Sequence, residues 1–173
     1  MGTVHLAFLW HLHQPCYEDA IDHTLAMPWV RFHAVKDYFG MAAILKRFPK
    51  IQCTVNFSPI LLDQIRSYTA DDRADTALFI ARKPAAELSA EERAFLLKNS
   101  FNVHPTMIRS LPRYQELHSL REKGDLFATG DLLDLQVLSN LVWFHPLVVE
   151  EKQEIAEWRR KGRGFTEQDK TAL

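Results

Sequence analysis

The chain carries the sequence Leu9-Trp10-His11-Leu12-His13-Gln14-Pro15-Cys16-Tyr17-Glu18, in which two histidines follow a short apolar segment. Val4 to Trp10 is mostly apolar and is typical of a buried strand in a parallel sheet. Side chains on a strand alternate between its two faces, so His11 and His13 share one face. Gln14 and Pro15 then turn the chain. The pattern therefore predicts two imidazoles at the carboxyl end of the first strand, where parallel α/β folds keep their active sites.

The segment after these histidines predicts a strand, helix and strand unit. A helix is expected to begin at Pro28, because apolar residues recur at helical spacing as far as Leu45, and Phe48-Pro49 then ends it. Ile51 to Phe57 predicts the second strand. Ser58-Pro59 is typical of a cap followed by proline at the first helical position, so a second helix is expected after it. The predicted fold class is therefore α/β.

The rest of the chain predicts helices. Ser89-Ala90-Glu91-Glu92 matches a capping box, Tyr114 to Glu122 is a further helical segment, and Asp131 to Trp143 repeats apolar residues at helical spacing. Thr166-Glu167-Gln168-Asp169 is typical of a helix start. Two strands cannot close a parallel barrel, which takes about 250 residues. We therefore expect the chain to be a fragment of a longer protein.

Composition narrows the classes of partner. The 47% of apolar residues predicts a globular domain with a real core. Lys and Arg number 21 against 22 Asp and Glu, and neither sign forms a long run, so no nucleic-acid partner is expected. No apolar run approaches the roughly 18 residues of a membrane helix. With no basic leader and only Cys16 and Cys53, the sequence predicts a cytoplasmic protein with reduced thiols and no membrane association.

Two histidines on one strand face suit three kinds of site. They could bind a metal in a barrel hydrolase acting on C–N or ester bonds, although the other histidines show no fixed ligand spacing. They could hold sugar hydroxyls in a glycosidase, because a neutral imidazole donates at one nitrogen and accepts at the other. They could also be structural histidines in a non-catalytic carbohydrate-binding or interaction module. The residues alone leave these alternatives open.

His11-Leu12-His13-Gln14-Pro15-Cys16-Tyr17 resembles the first sequence signature of glycoside hydrolase family 57, whose members act on α-glucans. Similarity to the family continues in the same order along the chain, through Leu25 to Tyr38, Thr54 to Ile65, Asp134 to Val137, Asn140 to Phe144, and Gly164 to Thr166. The resemblance covers nearly the whole chain. Cys16 departs from the aromatic residue that often follows the signature proline, which leaves Tyr17 to supply the ring.

The resemblance implies a partial (β/α)7-type barrel, with residues 1–173 as the amino-terminal part of a single catalytic domain that carries a helical insertion. It implies a retaining hydrolase or transglycosidase of the α-amylase or 4-α-glucanotransferase type, acting on starch, glycogen or maltooligosaccharides without a metal or other cofactor. The glutamate nucleophile and aspartate acid/base are expected beyond Leu173, so this chain alone is expected to be inactive. Four acids of this chain are predicted to be surface or loop residues and are not candidates for catalysis: Glu18, Asp19, Asp22 and Asp63.

The same resemblance implies a set of substrate-binding residues: His11, His13, Gln14, Trp29, Arg31, His33 and Asn56. The two strand histidines would contact hydroxyls of the donor sugar, and Gln14 would shape the turn beside them. Trp29 offers a flat apolar face for a sugar ring. Arg31 and His33 would hydrogen-bond hydroxyls or position the neighbouring loop. Asn56 would point into the cleft if it shares the face of the two histidines.

Overall fold

The computed structural model describes residues 2–21, 23–70, 73–123 and 126–172. Two strands, β1 (Leu9–Leu12) and β2 (Thr54–Phe57), form a parallel two-stranded sheet in which Leu9 pairs with Thr54 and Leu12 with Phe57. Helix lies between them, so the predicted strand, helix and strand unit is confirmed. The described part of the chain is α/β and rich in helix, with one sheet of two parallel strands.

The predicted limits of the first strand are wrong. The strand was expected over Val4 to Trp10, but pairing begins only at Leu9 and runs to Leu12. A strand needs a partner, and β2 reaches back only to Thr54, whose N–H donates to the carbonyl of Phe8. Val4, before this point, is 92% exposed. The apolar run therefore marked a strand correctly, but the predicted start of its hydrogen bonding was wrong, and so was the predicted burial, since Leu9 is 68% exposed.

The helices occupy most of the described chain. In chain order they are α1 (Trp29–His33), α2 (Phe39–Arg47), α3 (Pro59–Thr69), α4 (Thr76–Arg82), α5 (Ala90–Asn99), α6 (Pro105–Arg109), α7 (Pro112–Glu122), α8 (Thr129–Leu141), α9 (Pro146–Glu151), α10 (Gln153–Lys161) and α11 (Glu167–Ala172). Two predicted helix caps are confirmed: Ser58 accepts a hydrogen bond from the Leu61 N–H, and Ser89 forms the capping box with Glu92.

The helix between the strands contains a π-helical turn, Ala34–Tyr38, which joins α1 to α2. The carbonyl of Val35 within this turn accepts a hydrogen bond of 3.3 Å from the N–H of His145, which lies just before α9. The start of α2 also lies close to His145: a Cβ at Gly40 would be only 2.5 Å from the His145 ring. The sequence predicted one regular helix here and did not indicate the wider turn. Such turns occur frequently at functional sites.

Two apolar clusters hold the structure together. The smaller one, which we call the sheet cluster, is formed by buried Leu12, Val30 and Leu61, from β1, α1 and α3. The larger helical cluster centres on α8, where Leu135 and Leu138 are fully buried. The sheet cluster covers one face of the sheet. The opposite face carries exposed side chains of both strands, among them His11 and Asn56, and it is there that the predicted site lies.

The last helix, α11, is anchored by charge. Asp169 accepts hydrogen bonds from Lys161 Nζ (2.6 Å) and from the Thr166 N–H (2.7 Å). Together these bonds hold the pKa of Asp169 at about 2, with the Lys161 bond as the larger cause. A carboxyl whose pKa is lower in the folded than in the unfolded chain stabilises the fold above about pH 4, and this stability is lost as the pH falls towards 2.

We therefore expect the stability of the chain to fall between pH 5 and pH 2 more steeply than that of the Asp169→Asn variant. Because Asp169 lies near the surface, where solvent screens charge, the difference should be about 1 kcal/mol. Chemical unfolding of both proteins across this pH range measures it. Other carboxylates titrate equally in both proteins, so their contribution cancels in the comparison. Parallel curves for the two proteins would contradict the prediction.

Candidate functional site

The two strand histidines lie side by side on the exposed face of the sheet. The ring centroids of His11 and His13 are 5.9 Å apart and their planes are within 7° of parallel. Both residues are exposed, whereas Leu12 between them is buried in the sheet cluster. The prediction that the two imidazoles share a face is confirmed. Their polar ring atoms therefore open to solvent at the carboxyl end of β1.

Asn56 joins this face from the neighbouring strand. It pairs with His11 in the parallel register and is exposed, while Val55 beside it packs towards the sheet cluster. Residues opposite each other in neighbouring strands project from the same face of a sheet. Asn56 does not cap the helix that follows, since Ser58 performs that role. The structure thus brings together three of the predicted residues: His11, His13 and Asn56.

Gln14 lies in the turn beside the histidines and has both ends of its amide engaged. Its Oε1 accepts a hydrogen bond of 2.9 Å from the Tyr17 hydroxyl, and its Nε2 donates one of 3.1 Å to the Tyr38 hydroxyl. Burial raises the pKa of Tyr17, and the nearby Tyr38 adds to the effect, so the donating hydroxyl keeps its proton. This geometry fits a residue that shapes the turn. Tyr38 reaches it from the π-helical turn.

His33 stands at the end of α1 and is tied to its own helix. Its Nδ1 lies 2.5 Å from Asp37 Oδ2, and its ring lies edge-on to Trp143 with centroids 5.8 Å apart. Burial by itself would raise the pKa of Asp37, but hydrogen bonds from Lys36 and His33 hold it below its usual value. The ionised carboxylate therefore fixes the His33 ring. A direct contact of His33 with substrate stays a prediction.

Trp29 faces a separate cavity. Its ring packs edge-on to Trp143, with centroids 6.1 Å apart, and the two residues help to line a mostly apolar cavity of about 190 Å³. Phe95 and Asn99 of α5 line the same cavity, and no residue of β1 does. The structure therefore does not bring Trp29 to the histidine pair, and sugar stacking on its ring stays a prediction.

The Arg31 side chain makes its hydrogen bonds to groups inside the protein. Its Nε donates to Asp75 Oδ2 (2.9 Å) and its Nη1 to Asn140 Oδ1 (2.8 Å), while Asp75 is fully buried and also accepts from the Tyr68 hydroxyl. Burial and the neighbouring Asp75 raise the pKa of Tyr68, which keeps this donor protonated. The guanidinium thus ties α1 to α8 and to the residue that caps α4. Of the two roles predicted for Arg31, this geometry suits positioning.

The acids near the predicted site are an ion-paired loop residue, Glu18, and an exposed helix residue, Asp63. Glu18 pairs with Arg73 and His23, and these bonds, that of Arg73 first, lower its pKa. Asp63 is exposed on α3. Asp22 lies outside the described residues. Glu18 is therefore an ionised partner of two basic groups, in keeping with its predicted role as a loop acid.

Within 2–21, 23–70, 73–123 and 126–172, no three His, Cys, Asp or Glu side chains are grouped so that they could hold a metal ion. None of the helices in the same ranges has the length and apolar character needed to cross a membrane.

The sequence analysis missed Gln64, a buried amide on α3 whose Oε1 accepts a hydrogen bond from the Tyr17 N–H. No local pattern marks it, because its partner lies 47 residues away.

The family model of glycosyl hydrolase family 57 matches residues 7–165, which include both strands, the histidine pair and Asn56. The chain belongs to glycosyl hydrolase family 57. Searches of curated proteins and of solved structures gave no match. Membership of family 57 makes this chain part of the glycoside hydrolases and indicates a carbohydrate substrate. The resemblance noted from the sequence is confirmed.

Proposed function

We propose that residues 1–173 form the amino-terminal part of a (β/α)7 barrel catalytic domain that hydrolyses or transfers α-glucan chains with retention. In this proposal His11 and His13 bind the donor sugar, and the protein acts in the cytoplasm on starch, glycogen or maltooligosaccharides. The observation that carries it is the pair of parallel, exposed imidazoles at the carboxyl end of β1, within a chain of family 57.

The chemistry of the site supports sugar binding. Each neutral imidazole offers one donor and one acceptor, and the Asn56 amide adds two donors and an acceptor on the same face. A sugar hydroxyl both donates and accepts, so such a face can bind several hydroxyls of one pyranose. Leu9, on the same strand, is 68% exposed and supplies apolar surface beside them. Further strands of the proposed barrel would border this face and close the site.

Bond cleavage in this proposal depends on other residues. A retaining glycosidase needs two carboxyl groups about 5–5.5 Å apart on either side of the bond. We propose that a glutamate nucleophile and an aspartate acid/base come from a remainder of the polypeptide. The chain alone is then a substrate-binding part without hydrolytic activity. Soluble starch incubated with this chain should yield no reducing sugar, and release of reducing sugar by the pure chain would contradict this part of the proposal.

Titration of the chain with maltotetraose, followed by NMR, tests the binding site. We expect the ring signals of His11 and His13 and the side-chain amide signals of Asn56 to shift, and cellotetraose, the β-linked isomer, to cause smaller shifts. Shifts confined to the Trp29 cavity, or no shifts at all, would overturn the proposed site. A stoichiometric zinc ion bound by His11 and His13 would favour the metal-dependent hydrolase that the residues alone left open.

A further inference from the structure

Gln64 is a buried amide whose hydrogen bonds are made to the turn after the histidine pair. It lies on α3 and is 3% exposed. Its Oε1 accepts from the Tyr17 N–H at 2.8 Å, and its Nε2 donates to the Pro15 carbonyl at 2.9 Å and to the Ile60 carbonyl at 3.2 Å. A buried amide needs such partners. Two of the three are backbone atoms of one short turn, far away in sequence.

This turn determines where His13 stands. His11 lies inside β1 and is held by its pairing with Asn56, but Leu12 is the last residue in the register and His13 follows it. Strand pairing therefore fixes one histidine directly and the other only in part. The Leu12 carbonyl accepts from the Ser58 N–H, at the start of α3. The segment 58–64 therefore contacts the chain on both sides of His13: Ser58 binds the Leu12 carbonyl before it, and Gln64 binds the turn after it.

We infer that Gln64 is a positioning residue: by holding the Pro15 carbonyl and the Tyr17 N–H at once, it keeps His13 stacked beside His11 in the orientation that binds the donor sugar. The inference rests on the proposed function for its consequence in binding. It requires one side chain that donates and accepts together, as an amide does. A leucine of similar length does neither, and an ionised glutamate only accepts.

The test compares Gln64→Leu and Gln64→Glu with the unmodified chain. One readout is the NOE between the ring protons of His11 and His13, and the other is the Kd for maltotetraose. We expect Gln64→Leu to lose the NOE and to bind about tenfold more weakly, as for the loss of one or two hydrogen bonds. Gln64→Glu should show the same defects while ionised. Its NOE and Kd should approach those of the unmodified chain, measured at the same pH, as the pH is lowered and the buried carboxyl takes up a proton.

Two control variants separate positioning from stability. Val137→Ala removes buried apolar volume from α8, in the helical cluster, and should lower stability without changing either readout. Gln115→Leu makes the same substitution at an exposed position of α7 and should change nothing. An intact NOE and unchanged Kd in a folded Gln64→Leu protein would overturn the inference. If Gln64→Leu does not fold, the absence of recovery in Gln64→Glu at low pH overturns it. If the unmodified chain does not bind maltotetraose, the proposed function fails, and the NOE comparison still decides the role of Gln64.

Discussion

Replacing Asp75 with alanine is expected to lower the free energy of unfolding by about 3–5 kcal/mol. Asp75 is fully buried and accepts hydrogen bonds from Arg31 Nε, from the Tyr68 hydroxyl and from the Leu78 N–H. Its loss leaves the guanidinium of Arg31, whose side chain is 17% exposed, without its charged partner. Removing one partner of a buried ion pair costs far more than the pair contributes, because the remaining charge stays away from water. Urea unfolding measures the change.

Two further variants isolate the ion pair. Asp75 also caps α4, so Ser89→Ala, which removes only the cap of α5, gives the cost of a cap alone, about 1 kcal/mol. The double variant Arg31→Met with Asp75→Leu removes both charges and should recover part of the loss. An Asp75→Ala protein no less stable than Ser89→Ala would show that Arg31 needs no buried partner. In that case the Arg31 guanidinium would be free to contact sugar directly.

Replacing either strand histidine with alanine is expected to weaken maltotetraose binding to the chain about tenfold. Each imidazole lost removes one or two hydrogen bonds to sugar hydroxyls, and about 1.4 kcal/mol corresponds to a factor of ten in Kd. His11 and His13 are both exposed, so neither substitution removes buried packing and the fold should be unaffected. Calorimetric titration of each variant measures the Kd.

His104 provides the control for this experiment. It is exposed, and its ring accepts a hydrogen bond from the Thr106 N–H to cap α6. His104→Asn keeps a capping side chain and removes an imidazole away from the sheet. This variant should bind maltotetraose as the unmodified chain does. Equal affinity of the His11→Ala, His13→Ala and His104→Asn proteins would show that the strand histidines are not part of the binding site.

Local signals in the sequence predicted much of the fold. A cap is decided within four residues, so Ser58, Ser89 and Thr166 each marked the start of a helix correctly. Alternation along a strand is equally local, and it placed His11 and His13 on one face. No local signal specifies the start of β1, because it depends on where a strand some 45 residues later begins to pair.

The contacts that support the site could not be predicted in the same way. Arg31 meets an acid 44 residues away and Asn140 lies 109 residues away, while the partners of Gln64 lie 47 and 49 residues before it. A charged or amide side chain inside a helical pattern normally indicates a solvent-exposed position. These groups are buried because α1 packs against α3, Arg31 reaches α8, and Gln64 reaches the turn after β1. No single segment of the sequence specifies such contacts.

The π-helical turn Ala34–Tyr38 makes the length of the crossover helix critical. A π-turn holds one residue more than an α-turn, and each residue of an α-helix rotates the chain by about 100°. Val30, before the turn, belongs to the sheet cluster, and Tyr38 and Met41, at and after it, pack against the same cluster. The wide turn thus accommodates an extra residue while both halves of the helix face the sheet. A residue added or removed elsewhere in the crossover helix would rotate its second half by about 100° and turn Tyr38 and Met41 away from the sheet cluster.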